Sequence, residues 1–416
     1  MSRSDGPAWH VAVVVENVPL GVDTRLRKQV EDLLSAGFRV SVVTMRHADN
    51  EPYRGRARLR LLEYPPPPEG SGVLGFAREY ALAFGWAVVL LTRLRLHERI
   101  DVLQLCQPPD IYFPLGRVLR RAGARVVVDQ RDLMPEVLAS RGQGTAGPLV
   151  RLLRLLERRS QVLADRTVTV NEYLRDRLVQ AGARPRDVAV VRNGPVLRRV
   201  ERARQEDLRG DSAFLVVWVG KMGPQDRVGD VVRLAQKIVE ERGRTDCRFV
   251  ILGDAECPEE LQSLTRQRGL DPWVRFTGWV DEDTVFRHLA SADVGVDTSM
   301  QEEVSPVKAM EYMAFGLPFV CFDLQESRRL AEGSAVLVPA GDLDRLTDAL
   351  LALLDQPDRR RLLGDHGRRR VVEELAWERQ VAGYLQAVAP AGHAWTGTTV
   401  TTGRFSGRRL RAAVRR

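Results

Sequence analysis

The chain has 416 residues, of which 44% are hydrophobic and 28% are charged. This length is too great for one ordinary hydrophobic core and predicts two globular domains, while the composition excludes a chain that is disordered over most of its length. The formal charge of +8 is unevenly spread, because residues 1–196 carry +9, residues 197–388 carry −7 and residues 389–416 carry +6. The basic first half and the basic tail therefore favour an anionic partner.

Strand-like apolar runs alternate with helical patterns in both halves of the chain, which predicts an α/β protein with two parallel, doubly wound sheets. In the first half the predicted strands are 10–15, 40–44, 102–105, 125–128, 167–170 and 188–191. In the second half they are 215–219, 249–252, 274–277, 294–296, 318–322 and 336–338. We therefore expect a first domain over residues 1–196 and a second over residues 211–370, joined by a polar linker at 197–211.

Residues 64–72 are rich in proline and glycine and predict a loop. The apolar run that follows, residues 80–92, is too short to span a bilayer and ends in a basic segment. It fits either a core helix with a basic end or a helix in contact with an anionic membrane. Residues 371–388 carry an apolar stripe at helical spacing and predict a further helix. Residues 389–416 have little core-forming content, and we expect a disordered basic tail.

The expected compartment is the cytoplasm. Four cysteines are scattered without the spacing of a zinc site or a disulfide framework. The first residues pass into an apolar strand without the apolar core of a signal peptide. For the anionic partner we expect a phosphate-bearing acceptor or membrane lipid, and not nucleic acid, because no recognisable nucleic-acid-binding motif accompanies the charge.

Loops at the ends of predicted strands carry candidates for binding a phosphorylated ligand. After the first strand of the second half come Gly220, Lys221 and Arg227. Glycine lets the backbone approach a diphosphate, and two cations compensate its charge. Gly253 and Gly278 end two further strands at the edge where α/β sheets bind ligands, although strand-ending glycines are also common in plain turns.

The most informative stretch is 303–320. Ser305 is a natural helix N-cap and Pro306 suits the first helical position. The predicted helix ends at Gly316, so Glu303 lies on the loop before it and Glu311 lies in its second turn. Two carboxylates there can bind sugar hydroxyls while backbone N–H groups bind a phosphate. The spacing alone fits a capped surface helix with two solvated glutamates equally well.

The loop, the helix and the following strand together resemble the retaining GT-B glycosyltransferases of family four. That family has a Glu-x7-Glu pair followed by a turn of the pattern Ala-x-Gly-x-Pro-Val. Glu303 and Glu311 match the pair without a gap, and residues 314–320 match the turn. In the first half, Gly21 matches the family's first loop. Residues 129–136 match its Asp-x-His-Asp-x-x-Pro-Glu stretch, except that Arg131 stands in the place of the histidine.

The resemblance implies two Rossmann-like domains that face each other across a cleft, with the helix at 371–388 crossing back to the first domain. It implies that the first domain binds the acceptor and the second binds the nucleotide sugar. The expected reaction is glycosyl transfer to an acceptor hydroxyl with retention of anomeric configuration, without a metal or a separate cofactor. We expect a hexosyl- or N-acetylhexosaminyl-transferase of cell-surface polysaccharide or glycolipid synthesis, in the cytoplasm at the inner face of the membrane.

The resemblance also implies residue roles. Glu303 would bind the hydroxyls of the transferred sugar and Glu311 the ribose, while Lys221 and Arg227 would stabilise the departing diphosphate. Arg131 would lie against the transferred sugar. The rest of the implied donor site consists of Gly21, Gly220, Gly253, Gly278, Ser305, Val307 and Lys308.

Alternative functions remain open at this point. Arg131 either replaces the histidine as a hydrogen-bond donor or marks a catalytically silent sugar-nucleotide binding protein. A transferase acting on a soluble secondary metabolite fits the same motifs. A 2-epimerase would need histidines in matched motifs, and a dinucleotide-dependent dehydrogenase would need the Gly-x-Gly-x-x-Gly loop that the first strand lacks. The Asp-x-Asp strings at 281–283 and 342–344 stand at predicted helix starts, where aspartate is a cap, so they imply no metal.

Overall fold

Buried runs of valine, leucine and isoleucine form two parallel sheets, each covered by helices on both faces. The structure is a computed structural model that describes residues 9–16, 18–67, 72–138, 147–254, 258–301 and 306–390. The first sheet has seven strands in the order β3-β2-β1-β4-β5-β6-β7. These strands are β1 His10–Val14, β2 Arg39–Met45, β3 Leu59–Tyr64, β4 Val102–Gln107, β5 Arg125–Gln130, β6 Arg166–Thr169 and β7 Val188–Val190.

The second sheet has six strands in the order β10-β9-β8-β11-β12-β13. They are β8 Phe214–Val219, β9 Cys247–Leu252, β10 Val274–Phe276, β11 Val294–Asp297, β12 Phe319–Phe322 and β13 Ala335–Val338. Every strand pair in both sheets is parallel, so the two-sheet α/β prediction is confirmed.

Helices connect successive strands. Those of the first half and the connection are α1 Thr24–Ser35, α2 Gly72–His97, α3 Phe113–Arg121, α4 Met134–Leu138, α5 Pro148–Leu163, α6 Glu172–Gln180 and α7 Leu197–Val200. Those of the second half are α8 Val228–Gln236, α9 Pro258–Gln267, α10 Glu282–Ser291, α11 Val307–Ala314, α12 Gln325–Ala331, α13 Leu343–Asp355, α14 Pro357–Arg370 and α15 Trp377–Val388. The predicted linker thus contains one short helix, whose Leu197 and Val200 are buried against the second domain.

Strand β3 was not predicted. It lies at the edge of the first sheet and pairs only with β2. Arg60 interrupts its apolar pattern, and arginines at positions 54, 56 and 58 precede it. Leu59 is buried while Arg60 is exposed. The strand therefore has one solvent-exposed face, which explains its mixture of apolar and charged residues. Tyr64, the first residue of the predicted proline-rich loop, belongs to this strand.

The C-terminal helix crosses between the domains as expected, but it is broken. A π-helical turn, Val371–Leu375, continues α14 and packs in the core of the second domain. Ala376 is extended, and α15 then packs Trp377 and Tyr384 into the core of the first domain. The break at Ala376 is therefore the point at which the chain passes from one domain to the other.

Helix α11 begins at Val307 with Pro306 as its cap residue, one position later than predicted. Its end agrees with the prediction, because Gly316 has the left-handed φ of +67°. The expected N-cap Ser305 lies outside the described residues, as does Glu303.

Helix α2 is a core helix along one of its sides. Ala83, Ala87, Leu91 and Leu94 are buried in the core beneath it. Among the helices described by the structure, none is both long enough and apolar enough to cross a bilayer.

Candidate functional site

Three glycines bring the ends of β8, β9 and β10 into backbone contact at one edge of the second sheet. A Cβ atom at Gly253 would lie 1.9 Å from the carbonyl oxygen of Gly220, so only glycine fits at this position. Gly253 N–H donates to the carbonyl of Gly278 over 3.1 Å. The φ angles of Gly220, Gly253 and Gly278 are +147°, +127° and +68°. This edge is therefore a bare backbone surface that a phosphate or a nucleotide can approach closely.

Lys308 holds the loop after β8 against the start of α11. Its Nζ lies 3.1 Å from Asp226 Oδ1 and 3.4 Å from Asp297 Oδ1, and it stands 4.1 Å from the centre of the Trp218 ring. A Cβ at Gly220 would be 3.4 Å from Lys308 Cε. Four of the predicted donor-site positions, Gly220, Gly253, Gly278 and Lys308, are thus adjacent in space. The Lys308 side chain fixes the loop in position.

The two predicted diphosphate-binding cations differ in their surroundings. Lys221 is exposed, and no carboxylate in the described part of the chain forms an ion pair with it. Arg227 adopts a left-handed conformation at φ +50°, and its Nε lies 2.6 Å from Oδ2 of the buried Asp230. Asp230 also pairs with Arg233 over 2.7 Å. Arg227 is therefore oriented by the first turn of α8, whereas Lys221 is available to a ligand.

Glu311 lies at a cavity of about 410 Å³ between the domains. The cavity is lined from the first domain by α1 and the segment 193–196, from the second by the first two turns of α10 and α11, and also by the start of α15. Val307 is among its lining residues. Burial, reinforced by the nearby Glu282, raises the pKa of Glu311 to about 7 even though Lys28 and Lys308 oppose the shift. Glu311 is thus a half-buried carboxyl group that faces the other domain.

Lys28 is the main residue that the sequence analysis missed here. Its Nζ donates to Asn193 Oδ1 over 2.6 Å and to the carbonyl of Gly194 over 2.9 Å, and it lies 4.6 Å from the centre of the Trp377 ring. Burial lowers the pKa of Lys28 to about 7. A single lysine on an amphipathic helix gives no sequence signal that its side chain will line the cavity between the domains. The position becomes informative only when both domains and α15 are in place.

On the first domain, Arg131 belongs to a buried ion network at the end of β5. Its Nε lies 3.1 Å from Asp129 Oδ2, and its Nη1 pairs with Asp23, the N-cap of α1. Arg25 approaches the same Asp129 at 2.8 Å. Burial alone would raise the pKa of Asp129, but Arg25 and Arg131 outweigh it and hold the pKa at about 2. The Arg131 side chain retains 19% exposure, so it is anchored without being fully enclosed.

Gly21 lies on the loop between β1 and α1, at the same edge of the first sheet. A Cβ there would be 1.9 Å from the carbonyl oxygen of Asp49, and Gly21 N–H donates to Asn50 Oδ1 over 3.0 Å. Close packing against the segment 48–53 therefore accounts for this glycine by itself.

The prediction that both Asp-x-Asp strings are helix caps is confirmed. Asp281 accepts from the N–H of Thr284 at the start of α10 over 2.8 Å. Asp342 accepts from the N–H of Arg345 at the start of α13 over 2.9 Å. Across the described ranges, no three His, Cys, Asp or Glu side chains are grouped closely enough to hold a metal ion.

Two family models match the chain, and together they cover most of it. The model described as "Glycosyl transferase 4-like domain" matches residues 21–194. The model described as "Glycosyl transferases group 1" matches residues 213–356. Each match falls on one of the two sheets.

Curated relatives match part of the chain. An alpha-D-kanosaminyltransferase of Streptomyces kanamyceticus is 29% identical over 39% of the chain and 43% of its own length. An MMP alpha-(1->4)-mannosyltransferase of Mycolicibacterium hassiacum is 32% identical over 38% of the chain and 40% of its own length. A phosphatidyl-myo-inositol mannosyltransferase of Mycobacterium leprae is 38% identical over 26% of the chain and 29% of its own length. The chain thus spans less than half the length of each of these relatives.

Solved structures match over nearly the full chain. Sucrose-phosphate synthase from Thermosynechococcus elongatus superposes with a TM-score of 0.72 at 16% identity, over 90% of this chain and 96% of that one. Anabaena HepE in complex with UDP-glucose superposes with a TM-score of 0.68 at 13% identity, over 91% of this chain and 98% of that one. At such identities the likeness shows the fold alone, two Rossmann-like domains facing across a cleft.

Proposed function

The chain belongs to the family-four glycosyltransferases of the GT-B fold, and on that premise we propose that it transfers a sugar from a nucleotide-diphosphate sugar to an acceptor hydroxyl. One observation carries the proposal. The bare backbone edge at Gly220, Gly253 and Gly278 adjoins α11, which carries Glu311 at the cavity between the domains. A nucleotide-diphosphate sugar needs an open backbone and positive charge for its diphosphate, and carboxylates for the hydroxyls of its ribose and its sugar.

The roles of the residues follow from their surroundings. Lys221, which has no carboxylate partner in the described part of the chain, and the oriented Arg227 meet the negative charge that grows on the departing diphosphate. Backbone amides at the start of α11, from Val307 and Lys308, add to that stabilisation. Glu311 accepts from the ribose hydroxyls. We assign Glu303 to the transferred sugar and Ser305 to the same donor site, because both precede this helix closely in the sequence.

We further propose that transfer proceeds with retention of anomeric configuration. In this scheme the departing phosphate oxygen accepts the proton of the incoming hydroxyl on the same face of the sugar, so no protein nucleophile is needed. Arg131, which is anchored by Asp23 and Asp129 on the first domain, is the fixed cation that we assign to a sugar hydroxyl or a phosphate oxygen. The transferred group is a hexosyl or N-acetylhexosaminyl unit, and mannosyl transfer by two of the relatives supports this class.

The test is incubation of the pure protein with a panel of nucleotide sugars, with slow release of nucleoside diphosphate as the readout. We expect release of nucleoside diphosphate from at least one hexose or N-acetylhexosamine donor, because water can replace the acceptor. Binding of a nucleotide sugar without release from any donor, even with acceptor mixtures present, would favour the silent binding protein.

Metal independence gives a separate expected result. Since the positive charge at the diphosphate comes from Lys221, Arg227 and backbone amides, treatment with a chelator should leave donor turnover within about twofold of the untreated value. The measurement is the same release assay with EDTA and with EDTA followed by excess manganese. Activity that disappears with the chelator and returns with manganese would contradict the assignment.

For the acceptor we propose a lipid-linked or otherwise anionic molecule of cell-surface polysaccharide or glycolipid synthesis, reached in the cytoplasm at the inner face of the membrane. The charge of +9 on residues 1–196 and +6 on residues 389–416 supports an anionic surface as partner. A soluble secondary-metabolite acceptor is the second candidate, and it is favoured by the kanosaminyltransferase relative.

Removal of residues 393–416 should weaken binding to anionic vesicles. The tail carries six arginines, each contributing at most about 1 kcal/mol near an anionic surface. The effect should shrink with added salt, because the Debye length falls to about 3 Å at 1 M. Cosedimentation of the full and shortened chains at low and high salt measures it. Equal binding by the two chains would show that the tail does not contribute to membrane binding.

A further inference from the structure

The exposed apolar side chains of this protein concentrate outside the cleft, on one side of the first domain. Eleven large hydrophobic side chains are strongly exposed in the described part of the chain, and eight of them belong to α2, α3 and α5. They are Leu82, Trp86, Val89, Leu96, Val118, Leu152, Leu155 and Val162. Scattered single residues of this kind are ordinary, whereas a cluster of eight on three helices indicates a contact surface.

The three helices lie side by side on the same side of the first sheet. They are the successive connections from β3 to β4, from β4 to β5 and from β5 to β6. The Phe84 ring of α2 stacks on Tyr112, the residue before α3, with 5.9 Å between centres. A Cβ at Gly116 of α3 would lie 2.8 Å from Leu163 Cδ2 at the end of α5. Helices α1 and α15 cover the core on the other side of the sheet. The exposed side chains of α2, α3 and α5 therefore form one surface, here named the basic apolar face.

The exposed charges described on the basic apolar face are all positive. Where the structure describes their side chains, every exposed charged residue on these helices is an arginine, whereas Glu79 is only partly exposed and Glu157 is buried. The ten arginines are Arg78, Arg93, Arg95, Arg117, Arg120, Arg121, Arg151, Arg154, Arg158 and Arg159. This face therefore accounts for much of the positive charge of the first domain.

Arginine and apolar side chains are interleaved. On α5, Leu152, Leu155 and Val162 share one side of the helix with Arg151 and Arg159. On α2, Leu82, Trp86 and Val89 form a stripe that continues into Arg93. Guanidinium groups bind phosphate oxygens in pairs of hydrogen bonds, and leucine, valine and tryptophan side chains insert at the boundary between headgroups and acyl chains. This mixture matches a surface that presents phosphates above an apolar layer.

We propose that the basic apolar face rests on an anionic lipid bilayer. The inference deepens the proposed function, because it identifies where a lipid-linked acceptor would meet the enzyme. Each of the three helices follows the carboxyl end of a strand, so each begins at the edge of the sheet that borders the cleft. An acceptor head group anchored in the bilayer would therefore enter the cleft from the side of this face.

The test compares two matched triple variants of the full chain. One carries Arg151→Glu, Leu155→Ser and Arg159→Glu on α5. The control carries Arg359→Glu, Arg361→Glu and Leu362→Ser on α14 of the second domain, where the change in charge is the same and the replaced leucine is also exposed, at 67%. Cosedimentation with phosphatidylcholine vesicles, with and without phosphatidylglycerol, gives the partition coefficients. Release of nucleoside diphosphate and the melting temperature are measured on the same samples.

The wild type and the control should bind vesicles that contain phosphatidylglycerol. The α5 variant should bind them roughly 25-fold more weakly or worse, since each arginine near an anionic surface contributes about fivefold. All three proteins should release nucleoside diphosphate at the same rate, and this readout separates the lipid surface from the transferase activity. Equal losses in both variants, wild-type binding by the α5 variant, or indifference to phosphatidylglycerol would each overturn the proposal. So would a change from dimer to monomer in the α5 variant alone, because the face would then join two copies of the chain.

Discussion

Replacement of Glu303 by alanine should lower kcat roughly a hundredfold to a thousandfold with little change in KM for the donor. Glu311→Ala should instead raise the donor KM about 10-fold to 100-fold, the loss expected when a charged hydrogen-bond acceptor is removed. The physical reason is that ribose contacts persist through the reaction, whereas contacts to the transferred sugar change as its charge develops. Initial rates against donor concentration separate the two effects.

The pH dependence adds a readout specific to Glu311. The carboxylate is the better acceptor of ribose hydroxyl hydrogens, and burial raises the pKa of Glu311 to about 7. Donor affinity in the wild type should therefore fall as the pH drops below that value, and Glu311→Gln should flatten the dependence. Glu240→Ala, an exposed glutamate on the same domain, serves as the control and should match the wild type. If Glu303→Ala and Glu311→Ala both have the kinetics of the wild type, α11 and the residues before it do not belong to the donor site.

Arg131→Lys should lose about 10-fold to 100-fold in turnover, because a single ammonium cannot reproduce the paired geometry of a guanidinium between Asp23, Asp129 and a substrate oxygen. Arg25→Lys is the matched control. It changes the same functional group beside the same Asp129, but the Arg25 side chain is only 4% exposed and cannot contact a substrate. Its turnover should stay within about threefold of the wild type.

Melting temperatures distinguish a site role from a structural one. Both variants weaken a buried ion network, so both should lose stability. Only Arg131→Lys should lose turnover beyond what the loss of folded protein explains. Equal turnover losses that follow the melting temperatures would make Arg131 a structural residue. A wild type that binds nucleotide sugars and never turns them over would identify Arg131 as the mark of a silent binding protein.

The sequence predicted the architecture because most strands of the two sheets are buried on both faces. Such strands are continuous apolar runs, and each of the six strands of the second sheet lies within two residues of its predicted bounds. Strand β3 was missed because it is an edge strand whose exposed Arg60 interrupts the apolar pattern. The break at Ala376 was missed because an apolar stripe continues through it, while Leu375 and Trp377 pack in different domains. Periodicity along one segment cannot show which core each residue joins.

The site was predictable where a local backbone requirement creates it. Gly220, Gly253 and Gly278 were candidates because strands end there, and the structure packs them against one another. Lys28 was not predictable, because its contacts with Asn193 and Trp377 join residues 165 or more positions apart. The sequence suggested Arg131 only as a substituted histidine. Its pairing with the cap of α1 depends on the register of two separate loops.

The most direct test of the central claim is proton NMR of the wild-type enzyme during turnover of its productive nucleotide sugar, with a simple alcohol as the acceptor. A glycoside is used because it does not mutarotate, so the anomeric signal of the product reports the stereochemistry of transfer itself. The account predicts that nucleoside diphosphate and a new glycoside appear together, and that the glycoside has the anomeric configuration of the donor. A glycoside of the opposite configuration, or no glycoside from any nucleotide sugar, would contradict it.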